Sequence, residues 1–239
     1  MKRIYFTAVL VMLASCVFAG QGLVDSYISS ANEKFNNKDY QGAIADYSKA
    51  IELDSTNAMT FNNRAFVKWM SRDLTGAMAD YDSALKIDPN NFHILTDRGG
   101  LKIDMKDFKG ALNDYKKVIK LDPQNKEAYL DLGCCADELG DFNGAMKCYE
   151  MALNIDPKFY TVYDDRAITK CHIKDYKGAI EDCNRTLSYD AKFSEALYYR
   201  GYAEKMLGMI DASKKDFAAA KELGYTEPTD QYLVEAKSK

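Results

Sequence analysis

Five cysteines crowd into one stretch of the chain: Cys134, Cys135, Cys148, Cys171 and Cys183. A thiolate is both a nucleophile and a soft metal ligand, so this crowding raises two chemistries, a thiol enzyme and a metal or redox centre. Neither has its usual spacing. No Cys-x-x-Cys occurs, and His172 is the one histidine nearby. The competing reading is that these thiols are small core hydrophobes. Ser83-Ala84-Leu85-Lys86 spells the Ser-x-x-Lys of one acyl-transfer class, but its companion motifs are missing. Gly99-Gly100 is not a phosphate-binding loop, and the sequon Asn184-Arg185-Thr186 falls inside an expected helix. No catalytic set, cofactor site or metal site emerges, and none is expected.

Composition narrows the partners. The 239 residues carry 32 Lys+Arg against 36 Asp+Glu, a net charge of −4. Nucleic acid as the main partner would need a basic surplus. With 47% hydrophobic and 28% charged residues the chain can bury a core, and 4 prolines with 14 glycines argue against a loop-rich β fold. The 17 tyrosines stand against a single tryptophan. Many similar helices sharing one aromatic position would produce that bias.

The N-terminus has the plan of an export signal: basic Lys2-Arg3, an apolar run from Ile4 to Leu13, then small residues to Gly20. Val17 and Ala19 suit cleavage after Ala19, and Leu13-Ala14-Ser15-Cys16 also suits lipidation at Cys16. Residues 1–19 are therefore expected to be a signal peptide and 20–23 a short linker. Export places the protein in a periplasm, on an outer surface or in the medium. Loss of Lys2 and Arg3 leaves 30 basic against 36 acidic residues, a charge of −6.

From Val24 onward the chain lines up without gaps at a period of 34 residues, giving six units over residues 24–227. Position 8 is always small: Ala31, Ala65, Gly99, Gly133, Ala167 and Gly201. So is position 20: Ala43, Ala77, Ala111, Ala145, Ala179 and Ser213. Position 24 is Tyr47, Tyr81, Tyr115, Tyr149, Cys183 and Phe217. Positions 20, 24 and 27 form one helical stripe. Two small columns let two helices approach closely, and the aromatic fills the space beside them. Asp39, Asp73, Asp107, Asp141 and Asp175 precede the second helix of their units as N-caps. Asp88-Pro89, Asp122-Pro123 and Asp156-Pro157 end it, because the residue before proline avoids the α region.

These columns resemble the tetratricopeptide repeat family. The resemblance covers residues 24–227 and implies an all-α fold: a right-handed superhelix of six helix-turn-helix tetratricopeptide repeats. Thr229 to Lys237, within the 228–239 tail, is expected to be a short C-terminal capping helix. The family's aromatic at position 11 is replaced by Lys34, Lys68, Lys102, Ala136, Lys170 and Glu204.

One covariation suggests ion pairs between the two helices of a unit. Position 7 is Arg64, Arg98, Arg166 and Arg200 where position 23 is Asp80, Asp114, Asp182 and Asp216. The fourth unit loses both at once, with Leu132 and Cys148, and the first has Ser30 with Asp46.

The family resemblance also implies a concave groove lined by the first helices at positions 2, 5, 9, 12 and 13. Its N-terminal half would present Ile28, Phe35, Met59, Phe66, Trp69, Met70 and Ile103. Its C-terminal half would present Glu127, Asp137, Glu138 and Asp164, then Tyr198, Tyr202 and Met206. Cys134, Cys171 and His172 fall at the same kind of position. The clamp by which some members hold a carboxylate is not carried over, because His93 and Asp97 stand where its basic pair belongs.

The expected function is a non-enzymatic protein–protein interaction scaffold of the cell envelope or secreted space. It would bind a peptide or helix of another protein, apolar or basic, in the concave groove, with envelope assembly as one role. No small-molecule substrate is expected. The alternative is a thiol- or metal-dependent enzyme centred on the cysteines of the fourth and fifth units.

Overall fold

The computed structural model describes residues 20–226. The expected signal segment 1–19 and the C-terminal cap lie outside them. Helix α1 runs through residues 20–36. It is followed by α2 (Tyr40–Leu53), α3 (Ala58–Met70), α4 (Leu74–Ile87), α5 (Phe92–Asp104), α6 (Phe108–Leu121), α7 (Lys126–Glu138), α8 (Phe142–Ile155), α9 (Tyr160–His172), α10 (Tyr176–Tyr189), α11 (Ser194–Met206) and α12 (Ile210–Glu222). No strand occurs among the described residues. Residues 20–23, expected as a linker, are instead helical and continuous with α1. Gln21 there bonds Asp25 one turn on, at 3.1 Å.

Local chemistry sets the boundaries. Asp39, Asp73, Asp141 and Asp175 accept from the backbone N–H of Gly42, Gly76, Gly144 and Gly178 and so cap α2, α4, α8 and α10. The odd-numbered helices have caps of their own. Asn57, Asn91 and Asn125 accept from the first turn of α3, α5 and α7. Asp88 and Asp156, each before a proline, leave the helical region as C-caps of α4 and α8. The turn from the first helix of a pair to the second passes through the left-handed region every time, at Lys38, Arg72, Lys106, Gly140, Lys174 and Gly208.

The described chain divides into two compact units, one ending at Asp107 and the other starting at Phe108. In the first, α3 packs on α4, and α2 on α3. In the second, α7 packs on α8, α9 on α10 and α11 on α12, and each pair stacks on the next. The small columns are fully buried where the helices cross. Tyr47, Tyr81, Tyr115 and Tyr149 are at most 2% exposed. Each buries about 150–250 Å² beside that crossing. The fit is tight: a Cβ on Gly133 would lie 2.5 Å from the Tyr149 ring.

Candidate functional site

In the first unit the first helices α1 and α3 carry a run of aromatic rings. Phe35 meets Phe66 edge to face at 5.8 Å, and Phe66 meets Trp69 at 6.0 Å. Met59 and Met70 are exposed beside them, and Ile28 and Ile103 are half-buried. Trp69 is less free than its column implied. Its ring lies against Gly100 of α5, where a Cβ would come within 2.8 Å of it. Its Nε1–H donates to Asp104 at 2.7 Å. One edge of the ring is thus anchored, and the residue as a whole is half-buried. Asn62 donates to Asp97 at 3.0 Å, so it too is engaged within the unit.

In the second unit the corresponding face is acidic, and parts of it sit deeper than expected. Glu127 and Glu138 are exposed. Asp137 is buried: it accepts from the Thr169 hydroxyl and pairs with His172 at 3.0 Å. Tyr198 and Tyr202 are also buried, inside the core cluster of α9 to α12, where Tyr198 packs on Phe217 and Tyr225. Two large rings in neighbouring turns of α11 close over the end of that core instead of lining a groove. Asp164 is 3% exposed, and burial together with the charges of Glu195 and Asp165 pushes its carboxyl up to about 8. Burial and the charges of Glu195, Asp131 and Asp137 push Asp165 up to about 7. Asp131 is raised to about 6, mainly by burial, although the Tyr115 hydroxyl bonds it.

Position 6 was not singled out in the sequence, yet it is part of this arrangement. Asn63, Asp97, Asp131 and Asp165 each face the aromatic of the preceding pair, namely Tyr47, Tyr81, Tyr115 and Tyr149. Three aspartates at a fixed spacing were the readable signal.

The ion pairs are larger than pairs. Arg64 clamps Asp80 through Nε and Nη2 at 2.8 and 2.7 Å, and its Nη1 reaches back to Ser48 of the previous pair. Arg200 does the same with Asp216 and Asn184. Arg166 grips Asp182 at 2.8 and 2.7 Å. Arg98 reaches back to Asp82 at 2.7 Å; Asp114 belongs to the other unit. Position 11 joins in: Lys68 meets Asp80 and Lys170 meets Asp182, both at 2.7 Å, and Lys34 meets Asp46. The fourth unit drops all three members together, with Leu132, Ala136 and Cys148. In the last pair Glu204 replaces the lysine and is buried near Asp216, its carboxyl raised by burial and that like charge.

A tetratricopeptide repeat family model matches residues 102–164, and a TPR repeat model matches residues 31–71. Residues 31–71 and 102–164 thus carry tetratricopeptide repeats, and the described helix pairs pack as such repeats do. No curated protein sequence matches it significantly. Solved structures similar to it share the fold. PilW, described as a widely conserved type IV pilus biogenesis factor, has a TM-score of 0.74 at 21% identity, covering 90% of this chain and 99% of its own. PilF of Pseudomonas aeruginosa has a TM-score of 0.72 at 18% identity, covering 92% and 99%. YrrB, a TPR protein described as having an unusual peptide-binding site, has a TM-score of 0.60 at 18% identity, covering 81% and 98%. Tetratricopeptide repeat proteins are generally protein-interaction scaffolds.

Within these repeats the cysteines are set for packing. Cys135, Cys171 and Cys183 are at most 2% exposed, and none of the five described cysteines is in a disulfide. Burial raises Cys134, Cys148 and Cys183 and pushes Cys135 up to about 12. A nucleophilic or metal-bound thiol needs the opposite shift. Among the described residues no three His, Cys, Asp or Glu side chains are grouped to hold a metal ion. Iodoacetamide at pH 7.5 should therefore leave Cys135, Cys171 and Cys183 unlabelled until the protein is unfolded. Peptide mass mapping that found any of the three labelled within minutes in the folded chain would revive the thiol-enzyme alternative.

Proposed function

We propose that this protein is a non-enzymatic scaffold, exported from the cytoplasm, that holds an extended peptide or helix of another protein against its first helices. The observation that carries the reading is the aromatic run Phe35–Phe66–Trp69 on α1 and α3, with exposed Met59 and Met70 beside it. Aromatic and Met side chains left partly open, on helices that are otherwise packed, are the usual material of a protein-binding surface. The basic, apolar and small-residue order of residues 1–19 supports export. The likeness to a pilus biogenesis factor supports a role in assembling envelope structures, and the likeness to YrrB supports peptide binding.

Trp69 is the only tryptophan, so it reports on its own surroundings. Crosslinking pull-down from the native envelope identifies the partner, and titration of that partner should shift Trp69 emission. Trp69→Ala should remove about 2 kcal/mol or more of binding, as expected for a central aromatic anchor. Circular dichroism of the variant should retain the helical spectrum. A folded Trp69→Ala chain that still binds the partner at wild-type affinity would refute the assignment.

A further inference from the structure

In the second unit, α7 and α11 carry carboxylates, Asp131 and Glu195, within electrostatic reach of Asp164 and Asp165 on α9. Helix α9 packs against both α7 and α11. Asp165 feels the charges of Glu195 and Asp131, and Asp164 those of Glu195 and Asp165. The groups that bond them are neutral: the Tyr115 hydroxyl on Asp131, the Cys134 thiol on Asp165 and the Tyr225 hydroxyl on Glu195. Asp164 is left with least. It is 3% exposed, and its Oδ1 is buried with no hydrogen-bond partner among the described residues.

The same chain treats its other buried aspartates differently. Asp80 and Asp182, 5% and 4% exposed, each receive an arginine and a lysine. A buried carboxylate oxygen without a partner is costly and uncommon in a folded protein. One such oxygen, beside two further acids on the first helices of the second unit, has the character of a site completed from outside.

We propose that this acid cluster is a subsite for a lysine or arginine side chain of the protein partner. It rests on the peptide-binding reading above and gives that partner a chemical class. A cationic side chain would supply the missing donor to Asp164 and offset the mutual repulsion of Asp164, Asp165 and Glu195. An acidic or phosphorylated segment would be repelled from the same place. A metal ion is disfavoured because no three of these ligands are grouped to hold one among the described residues.

The probe is fluorescein-labelled hexalysine, with hexa(Nε-acetyl-lysine) as its uncharged match, read by fluorescence anisotropy on the full chain. Hexalysine should bind about tenfold or more tighter than the acetylated peptide. The double variant Asp164→Asn/Asp165→Asn should lose about tenfold of that affinity, roughly the worth of one charge-assisted contact. Glu150→Gln/Glu181→Gln, on exposed positions of α8 and α10, should change it less than twofold. Asn keeps the shape of Asp and removes buried charge, so the double variant should melt no lower than the wild type. Equal losses from both double variants, or none from Asp164→Asn/Asp165→Asn, would overturn the proposal. Carbodiimide should couple the peptide amines to Asp165 or Glu195. An amide from these acids to Lys237 or Lys239 of the same chain, formed without peptide, would assign the subsite to the chain's own tail and overturn the partner assignment. A native partner released by Trp69→Ala but not by the double Asn variant defeats this inference alone. A partner released by neither defeats the groove reading as well.

Discussion

At pH 8 the Asp164→Asn chain is expected to melt well above the wild type, and the wild type to melt lower at pH 8 than at pH 5. Asp164, Asp165 and Asp131 titrate near 8, 7 and 6 in the folded chain, against about 4 for an aspartate in an unfolded one. Between those values the folded form binds more protons than the unfolded form. Stability must then fall as pH rises. The advantage is fully present below about pH 4 and is lost as pH passes through 6 to 8. The groups facing Asp164 are Glu195 and Asp165, and those facing Asp165 include Glu195, Asp131 and Asp137, so each ionisation opposes the next. One fully buried aspartate raised this far is worth on the order of several kcal/mol, and each kcal/mol moves the melting temperature of a chain this size by about 2–4 °C. A second set of carboxylates runs the other way. Asp46 is lowered by its bonds from Lys34 and Ser30, and Asp156 by its bond from Lys126, so stability also falls in strong acid. Thermal melts followed by circular dichroism from pH 2 to 9 should show a maximum near pH 4 and a steady fall from there to pH 8. A wild type whose melting temperature is flat or rising from pH 5 to 8, or an Asp164→Asn variant with no gain at pH 8, would contradict the account.

Asp182→Ala should be among the most damaging single substitutions in the second unit, and a triple substitution that contains it should be milder. Asp182 is 4% exposed and holds Arg166 through two hydrogen bonds and Lys170 at 2.7 Å. Removing it leaves two cations facing each other in a largely buried place, at a cost of about 3–5 kcal/mol. Arg166→Ala should cost less, because Lys170 still neutralises Asp182. The fourth unit shows the alternative solution, with Leu132, Ala136 and Cys148 in the three positions; Leu132 and Ala136 are buried. Arg166→Leu, Lys170→Ala and Asp182→Cys together transplant that solution into the fifth unit, and should recover most of what Asp182→Ala alone loses. Urea unfolding of the four chains decides it. Strictly additive losses would mean that the three side chains act independently.

A single chain sufficed for the repeat because the repeat is a local and nearest-neighbour property. The small residues at positions 8 and 20 and the aromatic at 24 must recur wherever one helix pair stacks on the next. Aspartate before α2, α4, α8 and α10 acts on its own first turn, and Asp-Pro acts on its own backbone. The arginine–aspartate columns were legible for the same reason. Their lysine at position 11 was visible as a departure from the family, and only the contact distances tied it to the aspartate.

Exposure on the first helices was not legible, because it depends on which side chain the neighbouring helix offers at that height. Trp69 lies down against α5 because position 100 is glycine, and it is held there by Asp104. Asp137 is drawn in by Thr169 and His172, one repeat further along. Tyr198 and Tyr202 occupy the right columns for a groove but fill the core around Phe217 and Tyr225. Asp164 and Asp165 look in the sequence like two more surface acids. Their burial beside Glu195, without a cation, arises only when α9 is packed between α7 and α11. Periodicity determines which face of a helix is covered. The depth of a residue within that face, and whether its charge finds a partner, is decided by the tertiary packing of three helices at once.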